Sequence, residues 1–247
     1  MPNFYVIVPV LNEVGNLEHL FNSFQQINAS FEDSFTTHFI LVDDGSTDGT
    51  GEKAQELAGA LNFKLIQHEI NQGPGKAFGS AFAHIADKVQ DKDWVTTMEG
   101  DNTSRIEVLT QMFIRKEEGY DVILASPYMY GGAIINTSPL RVFLSSMANI
   151  FVKEFLSIHG ILTVSSFYRL YTGKTIKDLQ EKYSPEILEL AGFECMVEML
   201  LKMIYLEKSI SEVPLVLDTS LRVGKSKMKI IRTVRGYFKV WQKKRGW

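Results

Sequence analysis

The sequence predicts an α/β fold, with a mostly parallel central sheet covered by helices on both faces. Three observations predict it. Apolar runs of strand length alternate with stretches whose apolar residues recur at helical spacing through the first half of the chain. Polar and acidic clusters follow the apolar runs, at the carboxyl ends of strands, where such sheets bind ligands. The chain has 247 residues, long enough for a full core, and its single cysteine, Cys195, rules out an internal disulfide framework or a cysteine-pair zinc site.

Residues 4–10 form a nearly continuous apolar run and read as the first strand. Leu17, Leu20, Phe21, Phe24 and Ile27 then mark a helix. A second strand covers 39–42 and ends in Asp43-Asp44-Gly45-Ser46. A helix over 52–60, a strand over 63–66, a helix over 77–86 and a strand over 94–98 follow. A helix over 105–116 and a strand over 122–125 complete the alternation. The second half is less regular. Residues 126–139 read as irregular, 140–156 as a helix, 194–205 as another, and 210–217 as a strand. The 140–156 helix carries Phe143, Met147, Ile150, Phe151 and Phe155 on one face. The stretch 122–140 is uncharged, but Pro127, Gly131, Gly132, Asn136 and Pro139 interrupt it, which argues against a membrane span. The N-terminus lacks the basic-then-apolar pattern of an export signal, so a cytoplasmic chain is expected.

The formal net charge of −3 conceals an asymmetry. From Thr219 to Trp247 there are ten lysines and arginines and no acidic residue, so the remainder is strongly acidic. The expected division is therefore a main unit over 1–221 and a basic loop with an amphipathic helix over 222–247. In that helix Ile230, Ile231, Val234, Tyr237, Phe238 and Trp241 fall at helical spacing between cations. Such a helix suits an anionic membrane face, and equally suits packing on the body. Nucleic acid is a poor partner for an acidic body without a base-reading motif.

Four constellations carry chemistry. Val42-Asp43-Asp44-Gly45-Ser46-Thr47-Asp48 delivers carboxylates that accept hydrogen bonds from a base or ribose, or that cap the next helix. Glu99-Gly100-Asp101 offers two carboxylates separated by one small residue. Hard cations such as Mg²⁺ or Mn²⁺ take such ligands, with a diphosphate supplying further oxygens; a solvated acidic turn is the other reading. Residues 71–79 suggest a phosphate loop but match neither standard fingerprint. They read either as a turn into a helix whose N-terminus faces the ligand cleft or as a purely structural turn. The basic run from Arg222 to Lys227 suits closure over a diphosphate, and equally a solvated basic tail.

Taken together, Ile7-Val8-Pro9-Val10-Leu11-Asn12-Glu13, the 42–48 segment and Glu99-Gly100-Asp101 resemble the family-two glycosyltransferases. More narrowly, the chain is similar to the dolichyl-phosphate (polyprenyl-phosphate) mannosyltransferases. The later stretches 138–141, 165–171, 192–200 and 222–227 support the likeness. The resemblance implies a single nucleotide-diphospho-sugar transferase (GT-A type) fold. It implies nucleotide binding by Pro9, Leu11, Glu13, Val42 and Asp44, with Glu99 and Gly100 beside them. It assigns a Mg²⁺ or Mn²⁺ site to Glu99, Asp101 and Thr103. Asp101, Arg141, Arg222 and Lys227 become catalytic, with Arg169 a second acceptor-side arginine. Glu194 and Glu198 fall where relatives place a candidate base, though a surface or ion-paired role suits them too. Two positions depart from the family pattern. Glu99 stands where aspartate is usual, and Ala125-Ser126-Pro127-Tyr128 lacks the arginine of the polyprenyl enzymes.

The implied reaction is inverting transfer from a nucleotide-diphosphate sugar to an acceptor, among them a polyprenyl phosphate, at the inner face of a membrane. The alternative is a non-catalytic nucleotide-sugar-binding or regulatory protein with the same fold. A nucleotidyltransferase is a third reading, but it needs a glycine-rich loop directly after the first strand, where Leu11-Asn12-Glu13 stands.

Overall fold

A computed structural model describes residues 1–221 and 230–247, with residues 230–234 described by backbone alone. The elements run β1 (Asn3–Val10), α1 (Leu17–Phe31), β2 (Thr36–Asp43), α2 (Thr50–Leu57), β3 (Phe63–Gln67), α3 (Pro74–Ile85), β4 (Trp94–Thr97), α4 (Ile106–Lys116) and β5 (Val122–Ser126). After them come β6 (Ala133–Ile135), α5 (Pro139–Leu156), β7 (Arg169–Thr172), α6 (Gly173–Tyr183), α7 (Cys195–Tyr205), β8 (Ile210–Pro214), β9 (Val216–Asp218) and α8 (Ile230–Lys243).

Seven strands form the central sheet in the order β3-β2-β1-β4-β7-β5-β8. All neighbours pair in parallel except β7, which runs antiparallel to both β4 and β5. The carboxyl ends of β1, β2, β3, β4, β5 and β8 therefore share one edge. A second, two-stranded sheet pairs β6 with β9 in parallel.

Strand alternation sorts the core. Phe4, Val6, Val8 and Val10 face α1 and α4, with Leu20, Phe24, Leu109 and Met112 packed in that layer. Tyr5 and Ile7 face the opposite layer, built from Phe78 and Phe82 of α3, Ile176 of α6 and Met199 of α7. Pro74 begins α3 at a position that needs no amide. Ser138 caps α5, accepting from the Arg141 amide at 3.3 Å, and Thr172 caps α6, accepting from the Thr175 amide at 3.1 Å.

Three expectations need correction. The segment 126–139 contains β6. The expected strand over 210–217 breaks at Leu215, giving β8 to the large sheet and β9 to the small one. Residues 169–183, which carried no assigned element, form β7 and α6. The C-terminal helix packs on the body: Val240 is fully buried and α8 touches α5 and α7. Arg222 and Lys227 lie outside the described residues.

Candidate donor site at the carboxyl edge

The site forms where β1, β2 and β4 end side by side. Pro9 pairs with Val42 across β1 and β2, and the Asp44 amide donates to the Val10 carbonyl at 2.9 Å. Beyond β1 the chain turns at Asn12, whose φ of +49° lies in the left-handed region that asparagine tolerates. The 46–50 segment holds that turn. Ser46 Oγ accepts from the Asn12 amide at 2.8 Å, Thr50 Oγ1 from the Glu13 amide at 2.9 Å, and Asp48 from the Val14 amide at 3.2 Å. Burial opposes ionisation of Asp48, but hydrogen bonds from Thr50 and Val14 outweigh it and hold its carboxyl below the usual range.

The acidic turn after β4 lies against the end of β1. A methyl on Gly100 would sit 2.6 Å from Val10 Cγ1 and 3.2 Å from the Pro9 carbonyl oxygen, so only glycine fits this approach. Each carboxylate of the turn has a hydroxyl partner. Thr103 Oγ1 donates to Asp101 Oδ1 at 2.6 Å, and Ser104 Oγ donates to Glu99 Oε2 at 2.7 Å. Thr103 is almost wholly buried, so it orients Asp101. A chain of amides links the two loops: Asn16 Nδ2 donates to Glu13, and Asn102 Nδ2 donates to Asn16 Oδ1 at 3.2 Å. Glu13 and Asp101 are thus brought to one ledge.

Asp44 stands beside them and also holds a turn. It is 4% exposed, and its oxygens accept from the Gln72 amide at 3.0 Å and the Gly73 amide at 2.7 Å. His68 Nδ1 lies 2.7 Å from the same carboxylate and its Nε2 lies 2.9 Å from Ser80 Oγ. Asp44 therefore ties the β3–α3 turn to the end of β2. Val42 has its side chain in the core, so it can meet a ligand only through its backbone.

Of the two readings of residues 71–79, the same contacts favour the structural turn. The Gly73 amide is taken by Asp44, and the Gly75 amide donates to the Ala191 carbonyl at 2.8 Å. Residues 190–191 cover the start of α3, and a methyl on Gly75 would lie 1.9 Å from the Leu190 carbonyl oxygen. This helix end faces protein, not a cleft.

Arg169 is likewise corrected. It is fully buried, and its guanidinium donates to the carbonyls of Ser166, Met196 and Val164 at 2.7, 3.0 and 2.9 Å. It pins the 164–166 segment to α7 and offers nothing to an acceptor. Arg141 is exposed in the first turn of α5. That helix is tied to the end of β5 by the 2.9 Å bond between Tyr128 and Ser145. Glu198 is buried with Lys202, their charged atoms 2.7 Å apart, and also accepts from the Glu189 and Leu190 amides. Burial pushes its carboxyl up against the pull of Lys202. Glu194 is 6% exposed beneath α8, where a methyl on Gly236 would lie 2.4 Å from its carboxylate. Beside it, burial and then the Glu194 charge raise Tyr237 to about 12. Reasoning from sequence missed Asn16, Asn102, Ser104 and His68. Asparagine and serine in turns beside acidic residues were the available signal.

Glu99, Asp101 and the hydroxyl of Thr103 are hard-oxygen donors of the kind Mg²⁺ and Mn²⁺ take. Among the described residues no cluster of three or more histidine, cysteine or acidic side chains could hold a metal ion. Two carboxylates fit such an ion when waters and a bound diphosphate complete its oxygen shell.

The profile of glycosyl transferase family 2 matches residues 5–179, which include every element of this ledge. The chain belongs to that family. It is a glycosyltransferase with the GT-A type of fold. It is 27% identical over 245 residues to the polyprenol monophosphomannose synthase of Mycolicibacterium smegmatis, covering 95% of this chain and 84% of that one. It is 30% identical over 230 residues to the dolichol-phosphate mannosyltransferase of Pyrococcus furiosus, covering 91% of this chain but 58% of the archaeal protein. The fold also matches glucosyl-3-phosphoglycerate synthase from Mycobacterium tuberculosis, solved with Mn²⁺, UDP and phosphoglyceric acid. The TM-score is 0.65 at 15% identity, over 97% of this chain and 76% of that one. No described helix is long and apolar enough to cross a membrane.

Proposed function

We propose that this glycosyltransferase moves a sugar, with inversion, from a nucleotide-diphosphate donor to a polyprenyl phosphate at the inner face of a membrane. The observation that carries the donor half is the joining of Glu13 to the acidic turn through Asn16 and Asn102, with Gly100 pressed on Val10. The backbone of Pro9, Leu11 and Val42 and the side chain of Glu13 receive the nucleoside. Asp44 joins them at that edge while it holds the β3–α3 turn. Glu99 and Asp101, the latter oriented by Thr103, hold Mg²⁺ or Mn²⁺ against the diphosphate. Such an ion, when bound, neutralises charge on the departing diphosphate. Arg222 and Lys227 add cationic charge for the same purpose.

Two observations support an anionic acceptor. The relatives are named for polyprenol and dolichol phosphate chemistry. Of the two carboxylates sited by the family likeness to deprotonate a hydroxyl, Glu198 is paired with Lys202 and Glu194 is 6% exposed beneath Gly236. A phosphate acceptor is already ionised and needs no base. With Pro127 in place of the family's arginine, exposed Arg141 supplies a cation on the acceptor side.

The test is transfer from labelled GDP- and UDP-sugars to a short-chain polyprenyl phosphate in detergent, with Mn²⁺ and with chelator. Lipid-linked sugar of inverted anomeric configuration, lost with chelator, is the expected product. Saturable donor binding without transfer to any acceptor would instead support a non-catalytic role.

A further inference from the structure

A cavity of about 330 Å³ opens toward the amino ends of β1, β2 and β3, beside the last turn of α3. The donor ledge occupies the opposite, carboxyl edge of the sheet. Register places Tyr5 of β1 beside His38 of β2, and Ile40 of β2 beside Lys64 of β3. Tyr5 and Ile40 face the layer that contains α3. The last turn of α3 brings His84 to the cavity, and Lys88 follows four residues on.

The lining is basic in a molecule whose main unit is acidic. Lys64, His84 and Lys88 line the cavity and no aspartate or glutamate does. Neither lysine has a carboxylate partner among the described residues. Asp93, the acid that acts on His38, accepts instead from the Asn3 amide at 2.7 Å and the Gln90 amide at 2.9 Å. Lys88 Nζ lies 3.0 Å from His84 Nε2, so the ammonium donates and the imidazole accepts as the neutral ring. Burial, then Lys88 and Lys64, push the His84 imidazole below its usual range.

The floor is polar and prepared. Tyr5 stacks on His38 with ring centroids 5.0 Å apart. His38 is fixed as a neutral ring, its Nε2 3.0 Å from Asn3 Oδ1 and its Nδ1 2.8 Å from Asn62 Nδ2. Tyr5 is 4% exposed and lines the cavity, yet its hydroxyl has no hydrogen-bond partner among the described residues. Burial and the Asp93 charge raise this phenol, so it stays a proton donor. Two ammonium groups, an imidazole and a phenol thus offer donors without a matching acceptor. A carboxylate would balance only one of the two lysine charges. A phosphate dianion balances both and has oxygens for the remaining donors.

We propose that this cavity binds a phosphate dianion, free or as the monoester of a small molecule, through Lys64, Lys88, His84 and the Tyr5 hydroxyl. On binding, Lys88 turns from His84 to the anion. His84 then takes a proton from solvent and becomes a further donor. Lys64 and Lys88 oppose that protonation, the phosphate charge favours it, Tyr5 and His38 remain neutral, and Asp93 stays with its amides. Binding therefore draws in a proton, and the His84 midpoint moves up. The site shares no residue with the donor ledge, so it stands apart from the proposed transfer reaction.

The test follows the ring-proton resonances of the five histidines in the full chain, in chelator, with inorganic phosphate as the probe. His84→Gln assigns the resonance. Phosphate should raise the His84 midpoint, while sodium chloride at matched ionic strength should not. Lys64→Gln/Lys88→Gln changes exposed positions, is checked by thermal unfolding, and should weaken phosphate binding about tenfold or more. Tyr5→Phe should weaken it about threefold or more. Glucose 6-phosphate, titrated in parallel, separates the two forms of the ligand: tighter binding than inorganic phosphate supports a monoester, and equal binding supports the free ion. An unmoved His84 midpoint, an equal effect of sodium chloride, or equal phosphate binding by wild type and the double glutamine variant would overturn the site.

Discussion

Gly100→Ala is the most direct perturbation of the candidate site. The added methyl would stand 2.6 Å from Val10 Cγ1 and 3.2 Å from the Pro9 carbonyl oxygen. Non-bonded carbons rest at roughly 3.5–4.0 Å, so the acidic turn must retreat by about 1 Å or Val10 must yield. Val10 is 3% exposed and packed within the α1–α4 layer, so the turn is the softer element. Overpacking of this kind costs about 1–3 kcal/mol of stability. The functional cost is larger, because Glu99 and Asp101 flank Gly100 and move with it. A misplacement of about 1 Å in a positioned group lowers rate by about 10²-fold. Initial rates of transfer and urea unfolding should be measured for wild type, Gly100→Ala, Val10→Ala and the double variant. Val10→Ala makes room for the methyl, so the double variant should regain most of the lost kcat/KM while remaining less stable. If Gly100→Ala stays within about threefold of wild type, the close approach has no part in holding the carboxylates. If the double variant shows no recovery, Val10 is not the obstruction.

Three further outcomes follow from other contacts. Thr103→Val removes the 2.6 Å hydroxyl bond to Asp101 while leaving the amide bond, and should cost about 1 kcal/mol in stability and about tenfold in kcat/KM, read by urea unfolding and initial rates. Lys202→Met leaves the fully buried Glu198 with only its two amide donors and should cost about 3 kcal/mol near neutral pH. Burial already raises the Glu198 carboxyl, so the stability it contributes is present below its unfolded value and is lost as pH rises; urea midpoints of Lys202→Met should therefore fall further at about pH 8 than at about pH 5. Burial opposes ionisation of Glu189, but Lys243 and Trp247 outweigh it and hold the carboxyl below its usual range, so its contribution is lost as pH falls through the folded value. Trp247 fluorescence should change in that acid range in wild type and not in Glu189→Gln.

The parallel half of the fold was legible because its signal is local. β1 to β5 are apolar runs bounded by turn residues, and α1 shows its buried face as Leu17, Leu20, Phe21, Phe24 and Ile27. β7 gave no such signal. It has four residues, begins with an arginine, and becomes a central strand only because Arg169 finds three carbonyls and β4 and β5 flank it. Nothing in a pattern of apolar residues announces a buried guanidinium. The donor ledge was legible as a set of carboxylates at strand ends, since sequence order and a parallel sheet together put Glu13 and Asp101 on one edge. The division of labour among those carboxylates was not. Asp43 and Asp44 are adjacent, yet Asp43 accepts from Ser46 while Asp44 turns to the amides of Gln72 and Gly73. That choice depends on where β3 ends, a contact about 30 residues away that spacing does not encode.

The same contacts decide how the donor edge relates to the C-terminal helix. Asp44 holds Gly73, Gly75 bonds to Ala191, and the Leu190 and Glu189 amides bond to Glu198. Glu198 holds Lys202, and Glu189 receives both Lys243 and Trp247 from the chain end. Each link is a short hydrogen bond or ion pair, and several are buried. The run could be mistaken for a signalling route. Transmission requires an element with two arrangements whose balance both ends bias, whereas glycines at 73 and 75 lock the start of α3 onto residues 190–191 with no room for a side chain. A rigid mount explains the arrangement better. It holds the end of β2 at a fixed distance from α7 and the chain end. On that argument the buried pair fixes a distance across the molecule. Lys202→Met, assayed below its unfolding transition, should then loosen the whole run, read as faster hydrogen exchange at the Gly73 and Gly75 amides than in wild type.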